Sequence, residues 1–160
     1  MLQRTRAIFP GRSLRILSAL AEGADRLALG PLLERPGSKL VAVLPLEKYD
    51  YSSDFETSDS KDEFQRLLSG ADEVIELPTQ AERDRAYEAA GDFICERADV
   101  LIAVWDGQDG QGRGGTATVV GRARELGLPI AWVHAGNRKP GTLEPTSLGA
   151  EQGAVSYENF

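Results

Sequence analysis

Apolar residues in this chain come in short runs, broken by glycine, proline and polar clusters, and the period within the runs alternates. Residues 14–20 are mostly apolar with a β-branched centre, and 39–44 (KLVAVL) form an unbroken apolar run stopped by Pro45. Both predict strands, the second buried on two faces. A helix fits 25–33, closed by Pro36-Gly37. Residues 47–59 show neither period and predict a long loop, followed by a short helix over 61–68 and a short strand over 73–77 that Pro78 ends. In 80–97, Ala86, Ala90, Phe93, Ile94 and Arg97 recur at the helical period, with Tyr87 on the flank. Residues 99–105 (DVLIAVW) and 128–134 predict two more core strands. Between them lie a glycine-dense loop over 106–115 and a helix over 116–126 that Gly127 caps. The last twenty or so residues have little periodicity, although 154–157 fit an edge strand.

Strands alternating with helices predict an α/β fold, a Rossmann-like three-layer α/β/α arrangement around a mainly parallel central sheet. With 160 residues and no internal repeat or linker, the chain reads as one domain over 1–160, with a core at about 14–134.

Composition narrows the function. No apolar run reaches the roughly 20 residues of a bilayer crossing. No sustained apolar segment marks a secretory signal, and the single cysteine excludes an internal disulfide framework, which together predict a cytoplasmic protein. The net charge of −7 argues against a broad nucleic-acid surface. That charge is uneven: residues 1–45 carry seven Lys/Arg and three Asp/Glu, a balance of +4. Residues 46–104 carry six against sixteen, or −10, and the remainder five against six, or −1. Long nucleic acid remains disfavoured, while a small phosphate-bearing ligand needs only a few donors.

In an open parallel sheet, ligands bind beyond the carboxyl ends of the strands. Three loops there carry distinctive chemistry. The first runs Ser18-Ala19-Leu20-Ala21-Glu22-Gly23-Ala24-Asp25-Arg26, small residues leading into a helix whose free N–H groups suit an anion. The second is Leu44-Pro45 with the acidic, aromatic segment after it, where Tyr49, Tyr51 and Phe55 act either as a lid or as anchors. The third is the glycine loop, including Asp106, Gly107 and Arg113, ending in Gly114-Gly115-Thr116 at a helix start. Its amides and the Thr116 hydroxyl suit a phosphate, or Thr116 is simply an N-cap. Arg113, inside a glycine loop, suits bidentate phosphate binding. Asp25 is either a helix-start charge or a ribose contact, and Arg26 either a phosphate partner or a solvated helix residue. Asp106 either accepts from a ribose hydroxyl or caps its loop, and Trp105 is core, a base-stacking ring, or both. One histidine and one cysteine do not make a zinc site, and Asp106 with Asp109 fits no standard calcium loop. Cys95 reads as a buried, inert thiol, and His134 has no evident nucleophile partner in sequence.

The segments SALAEGADR (18–26), KLVAVLP, DVLIAVWDG and GGTA together resemble the SLOG superfamily, which includes DprA, the LOG phosphoribohydrolases and the ligand-sensing domain of TRPM channels. Ser18, Leu20, Ala21, Gly23 and Asp25 match the DprA element closely. The WDG and GGTA segments look more like the stand-alone or effector-linked bacterial members. The resemblance covers about 14–134 and implies a Rossmann-like pocket for a nucleotide-derived ligand, with Gly23, Asp25, Gly114, Gly115 and Thr116 in it. LOG enzymes carry a catalytic glutamate three residues after the threonine, and here that position is Val119. About 13 residues precede the first strand, where members of the group usually carry a leading strand and helix.

The expectation is therefore a sensor of ADP-ribose, an NAD-related molecule or a nucleotide second messenger, with no catalytic residue, cofactor or metal. A second copy of the chain or a separate effector would be its protein partner. The alternatives are a nucleoside 5′-monophosphate phosphoribohydrolase of LOG type and, third, DprA-like single-stranded DNA binding.

Overall fold

The computed structural model describes residues 10–109, 114–137, 142 and 144–160. It is a mixed α/β structure, and among the described residues hydrogen bonding groups six strands into two sheets of three. These residues divide into two compact units, one ending at Ala90 and the other starting at Gly91.

The first unit is built on β1 (Arg15–Ser18), β2 (Lys39–Leu44) and β3 (Glu73–Glu76), all parallel, with β2 in the centre. Leu17 pairs with Val41 and Val43 with Ile75. The KLVAVL run is buried from Leu40 to Leu44, as a central strand covered on both faces requires. Asp72 extends the β2–β3 ladder by one rung: its carboxylate accepts the Leu40 N–H at 2.9 Å and its own N–H donates to the Leu40 carbonyl. Helix α1 (Ala24–Leu33) follows β1, and α2 (Lys48–Ser52) and α3 (Ser58–Ser69) lie between β2 and β3. Leu20, Leu29, Leu40, Leu44, Tyr51, Phe55, Phe64 and Ala86 form its core.

The segment 47–59, expected as a loop, holds α2 and the first two residues of α3. Glu47 caps α2 by accepting the N–H groups of Tyr49 and Asp50, and Thr57 caps α3 by accepting that of Ser60. One turn of helix is too short to display a period, so its caps were the only signal. Tyr51 and Phe55 are 1% and 4% exposed and meet edge to face at 5.1 Å, so both are core anchors, whereas Tyr49 is 69% exposed.

Helix α4 (Arg83–Cys95) contains the division between the units. The second unit pairs β4 (Leu101–Trp105) in parallel with β5 (Ile130–His134), and β5 antiparallel with β6 (Val155–Glu158). Helix α5 (Thr116–Glu125) packs Val120 and Ala123 on Leu101, Ala103 and Ile130. It ends as its sequence predicts: Gly127 takes φ 66°, and the N–H groups of Gly127 and Leu128 return to the carbonyls of Arg124 and Ala123. This is the paired closure that a glycine beyond the helix end allows. No described helix is long and apolar enough to cross a membrane.

Candidate functional site

The β1–α1 turn is held from within by its own side chains. The Ser18 hydroxyl accepts the Leu20 N–H at 3.0 Å and donates to Asp25 Oδ2 at 3.0 Å. Asp25 also accepts backbone N–H groups from Ala21 and Ala19. Burial pushes its carboxyl above the usual range, and the Ser18 and backbone hydrogen bonds, with the Arg26 charge, only partly offset this. Leu20, fully buried, takes a positive φ of 57°, which an L side chain adopts only when its surroundings enforce it.

Arg26 supplies much of that enforcement. Its Nε donates to the Leu20 carbonyl at 2.9 Å. Its Nη1 donates to the Ser60 carbonyl and hydroxyl, both at 2.9 Å, and reaches Glu63 at 3.2 Å. The guanidinium lies 4.4 Å over the Phe55 ring. With its side chain 3% exposed, Arg26 is a buried clasp between α1 and α3 rather than a solvated helix residue. Its Nη2 nevertheless has no hydrogen-bond partner, and the same is true of the buried Tyr51 hydroxyl. In a guanidinium, Nη2 shares an edge with Nε, so the unpartnered atom lies on the edge that meets the β1–α1 turn. Ser60 also donates to Glu22, which ties the outer part of the turn to α3.

The helix start itself is open. Gly23 is the N-cap at φ 88°, a β-carbon placed there would meet open space, and no side chain caps the helix. The first intrahelical bond is from the Leu27 N–H to the Gly23 carbonyl. The glycine is therefore needed for conformation, not for close packing.

Leu44 and Pro45, the second candidate pair, are fully buried, and the Leu44 carbonyl accepts the Leu77 N–H at 3.0 Å. They shape the core under the loops and present no side chain to solvent.

In the other unit, Asp106 Oδ1 accepts the Gln108 N–H at 3.0 Å, the loop-capping arrangement. Gly107 has φ 79°, and a β-carbon there would stand 3.2 Å from the Trp132 ring, so glycine is required twice over. Trp105 donates from Nε1 to the Gln108 carbonyl and lies 5.2 Å from Trp132, half-buried. Gly114 takes φ 79°, and the N-cap of α5 is Gly115, without a side-chain cap. Thr116 is the first helical residue and exposed, so it does not cap the helix. Arg113 lies outside the described residues.

Val119 faces α4: its Cγ2 is 2.7 Å from where a Gly91 β-carbon would stand, and its carbonyl lies 3.6 Å from the Cys95 sulfur. It is a packing residue. Cys95 is buried, and burial pushes its thiol up, as an inert core thiol requires. Among the described residues, no group of three His, Cys, Asp or Glu side chains is arranged to hold a metal ion.

Sequence reasoning missed the contacts of Ser60, Glu63 and Phe55 with Arg26. Ser60 and Glu63 stand three apart on α3, but the helix was expected to start only at 61, after a loop over 47–59, which hid that face. It also missed the partner of His134, Ser156 on β6. In comparisons with known proteins, no family profile and no curated protein matches the chain.

Proposed function

We propose that the chain binds a nucleotide-derived ligand, of the ADP-ribose, NAD-related or second-messenger class, with an anionic group of the ligand at the start of α1. The observation that carries this reading is an α1 N-terminus without a side-chain cap whose first turn carries a buried arginine, bonded to the Leu20 carbonyl of the preceding turn and with its Nη2 unpartnered. Free N–H groups and the end of the helix dipole attract an anion there. The Arg26 charge reinforces them from beneath, acting through the turn it clasps rather than as an exposed phosphate hook.

Asp25 is the group such an anion must accommodate. Burial raises its proton affinity, which favours the neutral carboxyl beside an anion, and the carboxyl also suits a ribose hydroxyl. The start of α5, also without a side-chain cap, offers Gly114, Gly115 and Thr116 as a second phosphate cradle in its own unit. Membership of the SLOG superfamily, the three-layer Rossmann-like arrangement and a cytoplasmic setting belong to the same proposal. They rest on the quoted motifs, the all-parallel first sheet and the single buried cysteine. Val119 packs as an apolar side chain where a LOG enzyme carries its glutamate, which favours binding over N-glycosidic hydrolysis.

The test is calorimetric titration of ADP-ribose, NAD, AMP and cyclic nucleotides into the full chain, alongside the matching nucleosides. Binding that needs the phosphate and is lost in Arg26→Met supports the reading. No heat with any phosphorylated member overturns it.

A further inference from the structure

The only histidine of the chain ends β5, at the carboxyl end of a parallel strand pair, where α/β folds place their chemistry. Trp132 and Ser156 are register partners, so Ser156 and His134 share the sheet face that carries Trp105 and Trp132. There His134 Nε2 is hydrogen-bonded to the Ser156 hydroxyl. The imidazole also stacks on the Trp132 ring at 4.1 Å and 11°, which fixes its plane. Trp132 is itself held by donation from its Nε1 to the Trp105 carbonyl at 3.0 Å. Both members of the pair are half-buried, so they are pre-set yet reachable.

The backbone adds a further element. The His134 N–H donates to the Ala154 carbonyl, so in an antiparallel ladder Ala154 and Ser156 turn their backbone groups towards β5. The N–H of Tyr157, next to Ser156, then points to the outer edge of β6, which pairs with no other described strand. A free N–H adjoining a nucleophile is placed to stabilise an oxyanion.

We propose that Ser156 and His134 form a nucleophile–base pair that hydrolyses small uncharged carboxylic esters. The hydroxyl is hydrogen-bonded to a base whose orientation is fixed by a third group, here an aromatic ring in place of a carboxylate. The neighbours are Trp132 and Trp105, and the charged groups beside them, Arg124 over the Trp105 ring and Glu158 on β6, are paired with each other, which favours an uncharged substrate. Ser156 Oγ bonds to the ester carbon as its proton passes to Nε2 of His134. The carbon–oxygen bond to the alcohol then breaks, and the alcohol leaves with that proton. Water attacks the acyl-serine and gives a proton to His134. As the Ser156–acyl bond breaks, that proton returns to Oγ and the carboxylic acid departs. No other reactant is needed, and the site is independent of the α1 ligand reading.

The experiment treats the full chain with a fluorophosphonate probe, measures intact mass, and follows p-nitrophenyl acetate hydrolysis. The expected result is one adduct, mapped to Ser156 with loss of fluoride, absent in Ser156→Ala and at least ten-fold slower in His134→Gln. Hydrolysis should be lost in Ser156→Ala and fall at least ten-fold in His134→Gln. Ser156→Cys provides a second readout: its thiol should react with iodoacetamide faster than the buried Cys95, and the advantage should vanish when His134→Gln is added. Circular dichroism confirms that each variant is folded. Labelling no greater than in folded Ser156→Ala, or equal labelling in His134→Gln, overturns the proposal.

Discussion

The Arg26 Nε–H and the Leu20 carbonyl meet at 2.9 Å, and this hydrogen bond ties the first turn of α1 to the residue that bends the preceding loop through positive φ. The clasp is buried, and its other contacts, to Ser60 and Glu63, reach α3. Replacing Arg26 with Met keeps much of the packing on Phe55 but strands two carbonyls. The expected cost is about 2–4 kcal/mol in urea unfolding, from unsatisfied buried acceptors. Arg26→Lys should recover only part of it, because an ammonium lacks the planar fork that serves Leu20 and Ser60 together.

Asp25 gives a pH signature with a definite sign. Its proton affinity is raised in the folded state, so folding favours the neutral carboxyl. That contribution is complete below the ordinary carboxylate value, about 3.9, and is lost as pH rises through the raised folded value. Asp25→Asn keeps an acceptor for the loop without the ionisation. The stability of the wild type relative to Asp25→Asn should therefore improve as pH falls from 8 towards 4, measured by urea unfolding at each pH. A difference that is flat or reversed in sign contradicts the assignment.

Gly91 and Val119 form a tight pair between α4 and α5. An alanine β-carbon at Gly91 would approach Val119 Cγ2 to 2.7 Å, and a β-branched side chain has little freedom to yield. Gly91→Ala should cost about 1–3 kcal/mol as overpacking. Adding Val119→Ala should return part of that loss, a coupling that a double-mutant cycle reads directly.

Cys95 should resist thiol reagents in the native protein. Its thiol is buried and held in the protonated form by burial, with Asp92 adding to the effect. Reaction with a disulfide reagent should be slow at pH 8 and become fast only in denaturant.

The strand and helix order was legible because β2 and β4 are unbroken apolar runs and Gly127 marks the end of α5. Helix α2 was not, since five residues with one cap show no period. Around the site, sequence located the Ser18–Arg26 turn, while the positive φ that requires glycine at 23 and 107 came from the structure. It left open whether Arg26 faced a phosphate or solvent; the structure turns it inward, because a helix position alone does not reveal α3 waiting opposite. Asp106 makes the loop cap that was one of its two readings. The His134–Ser156 contact joins residues 22 apart through an antiparallel strand that the weakly patterned tail barely announced.

The most direct test of the ligand reading is isothermal titration of ADP-ribose, NAD, AMP and cyclic nucleotides into the wild type, Asp25→Asn and Arg26→Met at pH 6 and pH 8. The account predicts that at least one phosphorylated member binds the wild type and that its nucleoside does not. Binding should tighten as pH falls, because each proton taken up by Asp25 removes charge that opposes the anion, and Asp25→Asn should lose that pH dependence. Absence of binding by every phosphorylated member, or equal binding of the free nucleoside, would contradict an anion site at the start of α1.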